Sequence, residues 1–342
     1  MERQVREALA EALAAALPEA SATGIVPEIE VPREKGHGDY ATGVAMLLAK
    51  PLRRPPRAVA EPLAAALRRR ADLFAGVEIA GPGFINFRLA PGRVQQGLGE
   101  VLAAGGDWGK SAVGAGRRIQ VEFVSANPTG PLNVVNARAA AFGGALTRLL
   151  AAAGYEARSE FYVNDLGRQI DLLGESLLAR WREAQGEGDA VIPEGGYQGE
   201  YLKDIARELD AAAVEPALTL PDAGARARAM SRIAVDRIQG WQRGDLAAYG
   251  TTFDRWFRQS ELYPDKVRHA LDEMRRLGRV ELREGAEWFS STAFGDDQDR
   301  VLVRANGEPT YFLADLAYHV DKHERGFEKV IDIWGPDHHG YI

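Results

Sequence analysis

Residues 117 to 163 spell a strand, a helix and a second strand in that order, and this unit decides what kind of sheet the chain can build. Ile119, Val121 and Phe123 alternate with polar residues, the two-residue period of a strand. A helix over about 133–153 follows. Phe142, Leu146, Leu149, Leu150 and Ala153 are spaced as its buried face, and Gly154 suits its C-cap. The run 157–163 is the next strand. A strand that returns through a helix pairs in parallel by a right-handed crossover, so the fold class is α/β.

The rest of the chain is organised around that unit. Residues 1–17 form an amphipathic helix with Val5, Leu9, Leu13 and Leu17 on one stripe. A polar loop covers 31–39. Two short helices, broken near Pro51 and Pro55, occupy 40–67, and two short strands flank Gly81-Pro82-Gly83 over 77–89. This makes a small α/β domain over 1–93, followed by a glycine-rich linker over 94–116. The second domain runs over 117–342. It contains a charged, mostly helical insertion at about 172–290, after which a helix over 310–326 and a strand over 329–334 restore the sheet.

Composition removes whole classes of function. The 342 residues include no cysteine, so disulfides and thiolate metal sites are excluded and a reducing compartment is expected. Charges at Glu2, Arg3, Arg6, Glu7 and Glu11 are incompatible with a signal peptide. No uncharged stretch is long enough to span a bilayer. The chain is therefore read as cytoplasmic, with no membrane partner. A net charge of −7 argues against DNA. It leaves RNA open, because local patches such as Lys50, Arg53, Arg54, Arg57 and Arg68, Arg69, Arg70 either contact phosphates or simply stay solvated.

In an open parallel sheet, ligands bind beyond the carboxyl ends of the strands. Two loops lie at such ends, 125–131 and 335–340. The first opens a helix whose N-terminal amides favour an anion. On the helix that begins at Thr310, Tyr311 and Asp315 are four apart and share a face. A ring beside a carboxylate suits a planar cation, although the same pair is also compatible with a solvated face. Glu122, three residues before the first loop, adds a second carboxylate.

The segment from Glu122 through Ser125-Ala126-Asn127-Pro128-Thr129-Gly130-Pro131-Leu132 resembles bacterial arginyl-tRNA synthetases where they lead into their ATP-binding motif. Tyr162-Val163-Asn164-Asp165, Pro309-Thr310-Tyr311-Phe312 with Asp315, and Trp334-Gly335-Pro336-Asp337-His338-His339-Gly340 match later blocks in the same order. His37-Gly38-Asp39-Tyr40 and Gly81-Pro82-Gly83-Phe84-Ile85-Asn86-Phe87 resemble the family's N-terminal tRNA-binding domain. The resemblance implies a class I synthetase, Rossmann-like parallel sheet with a helical insertion. It implies arginine–tRNA ligase activity: arginine is activated with ATP and transferred to tRNA(Arg) by a monomer. Glu122 and Asn127 would hold the backbone end of arginine, and Tyr311 and Asp315 its guanidinium. Gly130, Pro131, Asn133, Asn136, Gly335, Asp337 and His338 would contact ATP. Asn133, Asn136, His338 and His339 would assist catalysis, and Phe84 and Asn86 would hold an exposed tRNA base.

Two departures from the family pattern stand out. The usual His-Val-Gly-His is here Asn133-Val134-Val135-Asn136, so amides replace imidazoles and Val135 takes up space that a glycine leaves to adenine. The lysine-rich loop and helical anticodon-binding domain that the resemblance implies are expected to follow Ile342. The alternative reading is a non-catalytic tRNA- or arginine-binding paralogue with a degenerate ATP site. His319 and His323 are four apart on a helix but lack a third ligand. They are read as a solvated face, and the metal expected is Mg²⁺ carried on ATP.

Overall fold

The computed structural model describes residues 1–335. The chain divides into two compact units, Met1–Gly109 and Lys110–Ile342.

The first unit contains α1 (Glu2–Ala16), β1 (Tyr40–Thr42), α2 (Val44–Ala49), α3 (Pro56–Arg68), β2 (Phe74–Ala80), β3 (Phe84–Leu89) and α4 (Pro91–Ala104). Its antiparallel sheet has the order β1-β3-β2. Val5, Leu9 and Leu13 of α1 and Leu63 and Leu67 of α3 pack on Ile85 and Phe87 of β3. The period of two therefore leaves Phe84 and Asn86 half-buried on the opposite face.

Two expectations change here. Residues 40–42 form a strand, not a helix start, because Tyr40, Ala41 and Thr42 pair with Phe87, Asn86 and Ile85. The segment from 94 to 104, read as linker, belongs to α4. Its glycines at 92, 97 and 99 disguised a helix that Pro91 starts at N1.

The second unit is built on β4 (Arg118–Glu122), α5 (Val134–Ala152), β5 (Glu156–Val163), α6 (Arg168–Ala184), α7 (Glu200–Glu208), α8 (Ala211–Leu218), α9 (Ala223–Ala248), β6 (Arg255–Arg258), α10 (Asp265–Arg276), β7 (Val280–Arg283), β8 (Ala286–Phe289), β9 (Arg300–Val303), α11 (Tyr311–Glu324) and β10 (Lys329–Asp332). Its main sheet has the order β10-β4-β5-β6, and every pair is parallel. From β4 the chain adds β5 and β6 on one side, then returns to lay β10 on the other. The order reverses between β4 and β10, which is the place where such sheets bind ligands.

The insertion is smaller than the sequence suggested. Helices α6 to α9 bury their own core of Leu173, Leu177, Trp181, Leu202, Ile205, Met230 and Ile238, and the helical part ends at Ala248. The four-residue β6, anchored by buried Phe257, already belongs to the main sheet. Residues 280–303 carry a separate antiparallel sheet, β7-β8-β9. These strands are too short and too charged to betray a period of two.

The predicted face of α5 is corrected in part: Leu146 and Leu150 pack against Ile119, Val121 and Phe123 as expected, but its other large residues do not. Phe142 and Leu149 are 62% and 67% exposed, whereas Ala140, Gly143 and Gly144 are buried. The helix lies close against the sheet, and the Phe123 ring fills the space beside Gly143. A Cβ there would sit 2.1 Å from Phe123 Cγ.

Candidate active site

The site grows from the register of two strands. Glu122 ends β4 and Asp332 ends β10, and the two are direct partners, so their carboxylates lie side by side at the switch point. Between them stands Lys322 of α11, whose side chain is 0% exposed. Its Nζ donates to Glu122 Oε2 at 2.7 Å and to Asp332 Oδ1 at 2.7 Å. It also lies 4.2 Å from the centre of the Tyr318 ring. Burial alone would pull the lysine pKa down, but the two carboxylates outweigh it and the net shift is upward.

Glu122 is held from the other side as well. Ser125 Oγ donates to Glu122 Oε1 at 2.9 Å and accepts the Tyr162 N–H at 3.1 Å. Both Glu122 oxygens thus accept, although burial pushes its carboxyl above the usual range against the pull of Lys322. This needs a sharp turn after β4: Val124 and Ser125 adopt φ of 68° and 38°. A left-handed valine costs on the order of 1–3 kcal/mol, and such strain concentrates at functional sites.

Helix α11 extends the cluster outward. Tyr311, Asp315, His319 and Lys322 follow at helical spacing on one face. His319 Nε2 lies 3.9 Å from Asp315 Oδ1 and 3.8 Å from Asp332 Oδ2. Burial and then Lys322 depress the His319 pKa against the pull of the two acids, so the ring is neutral near pH 7. The surrounding protein pushes the Asp315 carboxyl above the usual range, yet 57% of its side-chain surface remains open. Tyr311 is 63% exposed, and its hydroxyl meets the loop after β5. Gly167 stands there at φ 94°, and a Cβ would lie 2.5 Å from Tyr311 Oη. Only glycine fits both the backbone and the contact.

The loop 125–131 is fixed from outside. Tyr201 of α7 donates to Thr129 O at 2.5 Å, and Gln242 of α9 donates to Asn127 O and Gly130 O at 3.3 and 3.1 Å. Asn127 Nδ2 reaches Gln169 Oε1 at 3.4 Å. Pro131 is exposed, as is Gly335. Asp337, His338 and His339 lie outside the described residues.

Two family models match this chain. One is described as the arginyl tRNA synthetase N terminal domain and matches residues 3–89. The other is described as the tRNA synthetases class I (R), catalytic domain, and matches residues 98–337. The chain belongs to the arginyl-tRNA synthetase family. It is 46% identical to the arginine--tRNA ligase of Geobacter sp. (strain M21), in an alignment covering 100% of this chain and 62% of the relative. It is 44% identical to that of Halorhodospira halophila, covering 100% of this chain and 64% of the relative. The chain thus spans less than two thirds of the length of these relatives. The solved Thermus thermophilus arginyl-tRNA synthetase shares the fold, with a TM-score of 0.58 at 24% identity, covering 93% of this chain and 52% of that one.

One family element behaves differently from its sequence reading. The N-terminus of α5 was expected to offer free amides to an anion. Instead Asn133 Oδ1 accepts from the N–H groups of Val135 and Asn136 at 2.9 and 3.2 Å, and Asn136 Oδ1 accepts from Asn133 N–H at 3.0 Å. The two asparagines form a reciprocal capping box. Three amides are thereby committed to the box. Val134 and Val135 are 82% and 61% exposed beside them. Asn133→Ala should lower stability by about 1 kcal/mol, since it leaves two helix-start amides uncapped. A denaturant midpoint unchanged from the parent would show that the box contributes nothing.

Lys322, His319, Asp332, Tyr201 and Gln242 were not singled out as site residues from sequence. The spacing Asp315, His319, Lys322 was available as an i, i+4, i+7 stripe, but nothing in it announced that Lys322 points inward. Among the described residues no group of three or more His, Cys, Asp or Glu could hold a metal ion, and no helix is long and apolar enough to cross a membrane.

Proposed function

We propose that this chain carries the arginine and ATP sites of an arginine–tRNA ligase working in the cytoplasm. The observation that carries this reading is the charge at the switch point. Three carboxyl groups, of Glu122, Asp332 and Asp315, cluster around one ammonium, that of Lys322, with His319 among them. The cluster is therefore short of two cationic partners. Arginine supplies two, on its guanidinium and its α-ammonium, together with the carboxylate that reacts.

In this reading Tyr311 and Asp315 take the guanidinium, the ring by stacking and the acid by paired hydrogen bonds. Glu122 attracts the α-ammonium, with Asn127 at the backbone end. ATP lies along the loop 125–131 and the start of α5, at Gly130, Pro131, Asn133, Asn136 and Gly335, and the family resemblance adds Asp337, His338 and His339 as further ATP contacts. Mg²⁺ arrives on the ATP. A carboxylate oxygen of arginine attacks the α-phosphorus, the bond to the β-phosphate oxygen breaks, and pyrophosphate leaves with that electron pair. A ribose hydroxyl at the 3′ end of tRNA(Arg) then attacks the arginyl carbonyl and releases AMP. Positioning and charge stabilisation carry the rate, without a covalent protein intermediate. Phe84 and Asn86, on the outer face of β3, are suited to stack on and hydrogen-bond an unpaired tRNA base.

The second reading, a tRNA- or arginine-binding paralogue, draws on the capping box, which occupies amides that ATP phosphates would otherwise meet. Both readings keep the arginine pocket. Calorimetric titration with arginine and with citrulline, its neutral urea analogue, tests that shared core. Citrulline should bind at least about 10-fold more weakly, because a bound neutral group covers the acid without supplying its counter-charge. Equal affinity for the two would remove the charge argument. Aminoacylation of tRNA then separates ligase from paralogue.

A further inference from the structure

We propose that Lys322 is a positioning residue of the amino-acid site: by bridging Glu122 and Asp332 at the switch point it fixes both carboxylates as a charged, aimed pair. The proposal rests on the arginine reading above and adds the residue that makes its pocket work.

The geometry is specific. Lys322 has no exposed surface, so nothing reaches it from solvent and it does not touch ligand itself. Its three protons are directed at two carboxylate oxygens and one ring face. In register, Glu122 and Asp332 would otherwise repel each other in a dry setting, and one would take up a proton. With the ammonium between them each keeps one oxygen tied to Lys322, and its other oxygen is free for a further partner. Ser125 takes that second oxygen on Glu122. On Asp332 it faces His319 at 3.8 Å.

Everything charged that faces Glu122 enters the test. From β10 there is Asp332. From α11 there are Lys322, Tyr318, His319 and Asp315, and from β5 Glu160 and Tyr162. Glu160 is neutralised by Arg325, whose Nη1 lies 2.6 Å from Glu160 Oε2. The two tyrosines are pushed well above neutral pH by burial. Loss of the lysine therefore acts on two groups. The Glu122 carboxyl, already raised by burial, loses the ammonium that holds it down and moves further up, so it carries less negative charge as pH falls. His319, no longer repelled by the ammonium, also moves up and gains positive charge as pH falls. Both changes oppose a cationic ligand at low pH, so their signs agree.

The experiment is arginine affinity by calorimetry on the full-length protein between pH 6 and pH 8, for the parent, Lys322→Met and Lys322→Arg. The parent and Lys322→Arg, which keeps the cation, should stay within about 3-fold across the range, whereas Lys322→Met should weaken about 10-fold from pH 8 to pH 6, the effect of roughly one pKa unit. Should Lys322→Met not fold, Lys322→Gln, whose amide still donates to one carboxylate, replaces it with the same expectation. A neutral variant that weakens uniformly, with a profile parallel to the parent, makes the lysine a structural strut and overturns the proposal. No arginine binding by the parent overturns the arginine reading itself, an outcome distinct from a parallel profile.

Discussion

Exchange of Asp315 for asparagine should weaken arginine binding by about 30-fold or more, since removing the charged partner of a desolvated cation costs on the order of 2–5 kcal/mol. The side chain is isosteric and keeps one acceptor, so the loss reports charge rather than shape. The fold should not suffer. The face of α11 that packs into the protein is Leu313, Ala314 and Ala317, and Asp315 points away from it. Burial and Asp332 already disfavour its ionised form; a neutral amide relieves that conflict instead of adding to it. Calorimetry and thermal unfolding on the same variant separate the two effects. An arginine Kd equal to the parent's would take Asp315 out of the pocket.

The largest effect on stability is expected at Gly143. An alanine there places its Cβ 2.1 to 2.6 Å from three atoms of the Phe123 ring, a distance no packing tolerates. Either the ring leaves its rotamer or α5 lifts from β4. Overpacking of this kind costs about 1–3 kcal/mol or more, and here the neighbouring Phe253 ring, 4.5 Å from Phe123 between centroids, blocks the easy retreat. Gly143→Ala should therefore melt several degrees below the parent. Adding Phe123→Leu should recover part of the loss, which is the non-additivity expected of residues in contact. Strictly additive losses would mean that the ring does not read the glycine.

What the sequence revealed and what it hid have separate physical causes. The βαβ unit at 117–163 was legible because a strand period and a long helix lie next to each other and need no distant partner. Tyr311 and Asp315 were legible because four residues on a helix are neighbours by local geometry. The inward direction of Lys322 was not. A lysine on a charged helix is ordinarily a surface residue, and its partners Glu122 and Asp332 are brought to it by strand pairing alone. Tyr201 and Gln242 were hidden for the same reason: they reach the loop 125–131 from helices in an insertion whose role periodicity cannot state. The asparagines at 133 and 136 were named correctly as hydrogen-bonding residues. The reciprocal box they form was not read, because it depends on both side chains turning back to their own helix start. Phe142 and Leu149 were wrongly placed on the buried face of α5 by counting large apolar residues where the sheet wanted small ones.

The distance along the chain between Glu122 and Lys322, 200 residues, carries a consequence for synthesis. A ribosome releases β4, α5 and β5 long before α11 and β10 exist, so the nascent sheet has an open edge at β4 and a glutamate with no counter-ion at its tip. Until residue 322 emerges, that carboxyl must stay hydrated or protonated, and β4 must wait unpaired on one side. Contacts of such long separation close late and at entropic cost. The switch point where the ligand is to bind is therefore the last part of the sheet to be completed, and an incomplete chain has no finished pocket to fill.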